Sequence, residues 1–464
     1  MHFHKQIAVG LVGFLTALSL SAPIAAAAAS QQKTAAPTAA APKAPVAVDA
    51  NELSYDESNG DFFAQGNVII TQNDGKITTD RAEGNTQKYE IWVKDKAYMT
   101  QPGLQLTGSA LKYNYHAKTG TVGEATGWVE KERVYGNHIE IYPDKDIIKN
   151  GWITRCPAKV PDYHISAERI EIWPGDHYIA YNAKFWFKKV ELFSMAKYRG
   201  SLKKGAQSDF PKIGQSSSDG FYIGQRVEYP LTEKLSAFAN INYYTKHGFK
   251  PDYGLADREQ GYTVRLVQGD YEDSDDNWIR KEPELQFDLD SRRIGKLPLQ
   301  YSFTASYGKW NDDIKSSWHQ DYKLYFTRDP INFSKSLHLY LGSGFENVRE
   351  SYDGSSNNIF LLDSMLSKDW SNRFNTWIAY HNRSNTTALF AYESADRNRE
   401  LDSGFTYRID RMDALSVSRT YNLETNQVTD LDYTWHRNLH CWQLDLMYRA
   451  KRHQIHWDIS VAQW

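Results

Sequence analysis

Over roughly the last 260 residues, apolar and polar positions alternate in one short run after another. Leu299, Tyr301, Phe303, Ala305 and Tyr307 share one parity, and Gln300, Ser302, Thr304, Ser306 and Gly308 take the other. The same alternation runs through Leu337, Leu339, Leu341 and Phe345, through Trp442, Leu444, Leu446 and Tyr448, and through Ile455, Trp457, Ile459 and Val461. Successive side chains of a strand point to opposite faces, so each run describes a strand that is apolar on one side and polar on the other. Asp, Asn, Gly and Ser clusters separate the runs. A series this long predicts a membrane barrel with its outer face against lipid and its inner face against water. At about 16 residues per strand and turn it has roughly 14–18 strands, sixteen best fitting an even count. One soluble sandwich core would use far fewer strands. Tyr243, Tyr244, Trp310, Trp318, Trp370 and Trp435, near strand ends, are expected in the interfacial girdles.

Residues 48–200 read differently. Phrases such as Ala50-Asn51-Glu52-Leu53-Ser54-Tyr55, Asp80-Arg81-Ala82-Glu83, Ser109-Ala110-Leu111-Lys112-Tyr113 and Ser166-Ala167-Glu168-Arg169 recur along the segment. Their spacing of roughly 28–32 residues is that of stacked supersecondary units. Turn signals precede alternating strands, with no helical period, so the segment predicts a β roll. Its interior would be lined by Val68, Ile70, Ile91, Val93, Leu106, Val129, Ile139, Ile141, Ile153, Ile170 and Ile172. That interior is either an ordinary core or a groove for an apolar ligand, and the pattern alone does not choose.

Upstream, Lys5 precedes the apolar stretch from Ile7 to Ala22, followed by Pro23 and the small residues Ala25 to Ala29. This predicts a secretory signal peptide over residues 1–29 and an Ala/Pro-rich linker over 30–47. Composition changes the picture little. Of 464 residues 24% are charged, the formal net charge is −3, and aromatics reach 14%. Such a balance offers no basic footprint for nucleic acid. Only Cys156 and Cys441 occur, which excludes a multi-cysteine zinc site, and in an exported protein the two can pair.

Several phrases carry a family resemblance. Ala-x-x-Leu-x-Tyr, Gly-x-x-x-Ala-x-Gly-x-Val and Thr78-Thr79-Asp80-Arg81-Ala82-Glu83 resemble the OstA-type domain of lipopolysaccharide-transport proteins. Ile148-Lys149-Asn150-Gly151-Trp152-Ile153-Thr154-Arg155-Cys156-Pro157 and Asp162-Tyr163-His164-Ile165-Ser166-Ala167-Glu168-Arg169-Ile170 are similar to the LptD family of outer-membrane lipopolysaccharide-assembly proteins. The similarity is clear to about residue 230 and diffuse beyond, and the barrel is short for that family. The resemblance implies an all-β chain: an OstA-type jelly roll at 48–200 in the periplasm and an outer-membrane barrel at 201–464. It implies a translocon that receives lipopolysaccharide from a periplasmic OstA-like bridge protein and inserts it into the outer leaflet. A lipoprotein plug and the barrel-insertion machinery would be further partners. It also implies a Cys156–Cys441 disulfide, and a lateral gate between first and last strands weakened by prolines. Pro211 matches that gate position, whereas Pro230 lies a few residues off it and could simply begin a turn. The rival readings are a passive porin-like channel and a structural outer-membrane β protein.

No cofactor, metal site or enzyme is expected. The histidines His116, His138, His164, His177, His381, His453 and His456 show no paired metal spacing, and no nucleotide or nucleophile-elbow motif occurs. Hydrolysis would need a Ser or Asp beside a His on one lumen face, and no such local pairing is visible. Trp464 is a candidate insertion signal, although it falls on the opposite parity to Ile455, Trp457, Ile459 and Val461.

Overall fold

The computed structural model describes residues 46–203, 209–273, 276–384, 388–392 and 399–461, and every regular element among them is a β-strand. The expected signal peptide, nearly all of the linker and Trp464 lie outside the described residues. From Val46 onward the chain forms one compact unit containing two sheets.

The first sheet has thirteen strands, from Ala47–Asp49 to Val190–Ser201, all paired antiparallel and mostly in chain order. Its inner-face side chains pool into one apolar cluster reaching from Phe62 to Tyr198. The sheet bends where single residues adopt a left-handed backbone inside strands. Gly66 (φ 78°) and Asn67 (φ 49°) sit where the register shifts between Gln65 and Val68, and Ala110 (φ 50°) where it shifts between Ser109 and Lys112. Such bulges add one unpaired residue and sharpen the local twist, which lets a meander curl over its own apolar face.

The second sheet closes on itself as an antiparallel barrel of sixteen strands, from Lys212–Ser216 to Gln454–Val461. Gly248–Phe249 and Ile331–Ser334 are the separated pieces of two interrupted strands, each pairing the same neighbour as the longer piece. The outward parity leaves Leu266, Leu285, Phe345, Ile378, Phe405, Leu415 and Tyr448 exposed around the wall. An apolar band on this scale is explained by lipid contact, the architecture of outer-membrane proteins.

The aromatic girdle needs correction at two positions. Tyr243, Trp318 and Trp370 are exposed, but Trp310 is buried in a lumen cluster with Ile279, Phe390 and Tyr392. Tyr244 meets Trp278 edge-on at 5.2 Å and lines the lumen cavity described below. Both residues have the inward parity of their strands, and parity outranks nearness to a strand end.

Candidate functional site: roll interior, junction and seam

All eleven candidate lining residues, Val68, Ile70, Ile91, Val93, Leu106, Val129, Ile139, Ile141, Ile153, Ile170 and Ile172, lie in the single inner cluster, none more than 3% exposed. The interior is thus closed to water in this conformation. Carboxyls share it, among them Asp146, which stands opposite Ile141 and Ile172 on its two neighbouring strands. Burial pushes that carboxyl up to about 7. A folded-state value above the unfolded one, about 3.9, means that stability is greatest below the unfolded value and falls as pH rises towards 7. Replacing the acid with an uncharged isostere removes that loss. Asp146→Asn is therefore expected to stabilise the full chain by up to about 4 kcal/mol at pH 8 and to change little below pH ~4. Thermal unfolding in detergent at the two pH values checks this, and equal stabilities at pH 8 would contradict it.

The roll ends against one rim of the barrel. There Cys156 and Cys441 are joined by a disulfide, their Cα atoms 4.7 Å apart, and both are fully buried. Cys441 stands immediately before the penultimate strand, Trp442–Arg449. Aromatic rings surround the joint: Tyr163 lies 4.6 Å from Phe210 and 5.5 Å from Trp442, and Phe185 lies 5.8 Å from Phe210. Just ahead of the first barrel strand, the Asp209 carboxylate accepts hydrogen bonds from Tyr178 (2.9 Å) and Tyr198 (2.6 Å). On the roll's last strand, Arg199 donates to the carbonyl of Glu233 at 2.8 Å and pairs with Glu228 at 3.7 Å. The roll is thus fixed to the rim at the first strands and at the last hairpin.

Between these anchors lies the barrel's seam. First and last strands share only three register pairs, Ile213–Ile459, Gly214–Asp458 and Gln215–Trp457, whereas Leu299–Asn311 and Ser316–Arg328 share thirteen. Side chains add a few links: Lys212 to Asp458 at 3.6 Å, Trp457 Nε1 to Gln215 at 3.2 Å, and Ser217 Oγ to the Ile455 backbone. Continuing the register two residues beyond Ile213 puts Pro211 opposite Val461, at a position where no pair forms. Proline has no N–H to give a ladder there. Pro230 ends the second strand opposite Ser236, away from the seam.

Behind the seam, on the lumen side, a cavity of about 710 Å³ is lined by the cations Lys212, Arg226 and Arg449, by the acids Asp219, Asp252, Glu272, Asp273 and Asp276, and by Tyr222, Phe210 and Val461 among others. A small void of about 20 Å³ at the roll's end, bounded by Ile153, Ile165 and Tyr163 and by the charged Glu132, Arg155 and Asp209, shares Phe210 and Val461 with it. Those two side chains separate the roll's interior from the lumen.

Sequence reasoning had no signal for three of these features: the brevity of the seam, the Phe210–Val461 partition and the Arg199 anchor. All three depend on which strands become neighbours.

Comparison with known proteins adds a family likeness. Residues 47–147 match the family model described as LptA/(LptD N-terminal domain) LPS transport protein, a stretch that falls wholly within the rolled sheet. The LPS-assembly protein LptD of Idiomarina loihiensis is 23% identical over 223 residues, 47% of this chain and 28% of that protein. Its namesake from Pseudoalteromonas atlantica is 24% identical over 216 residues, 45% of this chain and 28% of the relative. The aligned stretch thus spans little more than a quarter of these relatives' length. Among solved structures, a bacterial polysaccharide outer membrane secretin aligns with 55% of this chain and 98% of its own, at 10% identity and a TM-score of 0.33. The chain is therefore similar to LPS-assembly protein LptD, and its most firmly matched part is the roll.

Proposed function

We propose that the chain is an outer-membrane translocon for lipopolysaccharide, with the roll in the periplasm. The observation that carries this reading is the succession of an apolar interior, the Phe210 and Val461 side chains at its end, and the inner side of a three-pair seam. Lipopolysaccharide poses two opposite transfer problems. Its acyl chains lose about 0.8 kcal/mol of favourable burial per CH₂ in water. Its sugars and phosphates cannot cross hydrocarbon without losing their hydrogen bonds. A roll whose eleven aliphatic side chains part to admit acyl chains, joined to a seam open to lipid, keeps the tails dry. The lumen beside the seam, where Lys212, Arg226 and Arg449 stand among Asp219, Asp252, Glu272, Asp273 and Asp276, offers the polar head a hydrated route. Pro211 then serves as the gate residue that keeps the seam short.

The remaining expected partners fit the same layout. The roll's outer edge carries the short strands Ala47–Asp49 and Glu52–Tyr55, with Leu53 and Tyr55 exposed. An open strand edge is where a bridge protein of the same rolled fold can add by strand pairing. A lipoprotein would plug the lumen, and insertion machinery would engage the closing strand.

The test is a photoreactive residue placed at Ile170 or Val68 in cells making lipopolysaccharide. Crosslinks to lipopolysaccharide from these interior positions, and none from the exposed Lys94, are the expected result. Equal labelling from both faces, or none from the interior, would reduce the roll to a packed core and favour a passive channel.

A further inference from the structure

Three consecutive barrel strands bring a serine, a histidine and a carboxylate into hydrogen-bonding line. Ser416 belongs to Asp413–Asn422, His436 to Gln427–Asn438 and Asp445 to Trp442–Arg449. In the ladder Ser416 is opposite Thr434, and His436 is opposite Asp445. All three have the parity opposite to the exposed Leu415, Tyr433 and Leu446, and therefore face the lumen. Ser416 Oγ is 3.0 Å from His436 Nε2, and His436 Nδ1 is 2.6 Å from Asp445 Oδ1. Gln443 Nε2 donates to both Asp445 oxygens, at 2.9 and 3.0 Å, which fixes the carboxylate's plane. Thr406 Oγ1 lies 2.9 Å from Ser416 Oγ.

This is the arrangement of a nucleophile, a base within reach of its proton, and a group that orients the base. We propose that Ser416 and His436 are the catalytic residues of a serine hydrolase, with Asp445 as positioning residue, acting on a carboxylic ester that enters the lumen. With Nδ1–H donated to Asp445, the free Nε2 takes the Ser416 proton as Oγ attacks the ester carbonyl. The tetrahedral intermediate collapses, the ester C–O bond breaks, and the alcohol leaves with the proton from Nε2. Lumen water, deprotonated by the same nitrogen, then attacks the acyl-serine, releasing the acid and restoring the hydroxyl. Net, one ester and one water give one acid and one alcohol.

The surroundings set the substrate class. Met447 and Arg449, on the same strand and parity as Asp445, line the cavity behind the seam, whose walls mix Lys212 and Arg226 with Asp219, Asp252, Glu272, Asp273 and Asp276. Backbone N–H groups on these strands are used by the ladder, so side-chain hydroxyls such as Thr406 Oγ1 are left to donate to a developing oxyanion. Such donors suit esters better than amides, whose poorer leaving group demands more stabilisation. Asp445 also stands four residues past Cys441, so the site lies where the roll meets the lumen.

The proposed hydrolysis is independent of the nature of any transported lipid, and its test uses none. The full-length protein in detergent is treated with a fluorophosphonate and, separately, with p-nitrophenyl octanoate. The expected result is a fluorophosphonate adduct mapped by mass spectrometry to Ser416 of the wild type. Octanoate hydrolysis should fall about a hundredfold or more in Ser416→Ala and in His436→Gln, with heat-modifiable migration reporting the folded barrel. Asp445→Asn should lower kcat while leaving KM unchanged, because it disturbs the base without touching the ester. Absence of an adduct on Ser416 in folded wild-type protein overturns the proposal, and needs no variant to fold. Unchanged hydrolysis in folded Ser416→Ala overturns it equally.

Discussion

A disulfide built across the seam, Ile213→Cys with Ile459→Cys, should stop delivery of lipopolysaccharide to the cell surface while leaving the barrel assembled. The two positions are register partners on the lipid-facing parity, so their Cβ atoms stand within reach of a bridge. Three register pairs correspond to about three ladder hydrogen bonds, each worth roughly 1 kcal/mol net in water and more against lipid, where no solvent replaces them. That is few enough for a loaded substrate to part, and a covalent bond removes the option. The control staples the second strand to the third through Ile223→Cys and Tyr243→Cys, also register partners, and should leave delivery intact. Surface lipopolysaccharide measured beside non-reducing electrophoresis gives the answer. Normal delivery through a fully crosslinked seam would mean that the cargo does not pass between these strands.

The second large effect concerns the Cys156–Cys441 bond. Cys156→Ser, Cys441→Ser and the double change should impair delivery to the same extent, since removing either end removes one bond, and should impair it more than barrel assembly. The bond closes a loop of 285 residues, for which the chain-entropy model gives roughly 5–6 kcal/mol. Position matters more than that energy. Without the bond, the roll remains joined to the rim by the Asp209 and Arg199 contacts at the first strands. The end of the roll holding Cys156 is then free to swing from the closing hairpin, and Phe210 and Val461 no longer meet between interior and lumen. Surface lipopolysaccharide, scored against the yield of heat-modifiable barrel, separates the two effects. Equal losses in both would make the bond a folding staple only.

The relation of sequence to structure is plainest in what each residue's own strand can say. Alternation with period two is a property of the backbone, so Leu299 to Tyr307 declare a strand and its lipid-facing parity without knowing their neighbours. The same logic placed eleven aliphatic residues inside the roll and supported sixteen strands. Nearness to a strand end misplaces Tyr244 and Trp310, whose parity turns both into the lumen. The pairing of Cys156 with Cys441 entered only through family resemblance, because nothing in the spacing of two cysteines says that a roll docks beside the last hairpin.

Lateral neighbours were beyond the sequence for one reason. Register is set by turns, bulges and closure, and a shift of one residue turns every side chain to the other face. Ser416 and His436 are 20 residues apart and His436 and Asp445 are 9, separations that in a sheet carry no contact until both hairpins are in register. Pro211 could be suspected, but its place opposite Val461, beyond the last of three seam pairs, exists only once the first strand meets the last. The sequence by itself determined the strands, their faces and the apolar interior. Closure of the barrel decided the seam, the partition and the Ser416–His436–Asp445 line, because these join residues related by strand register alone.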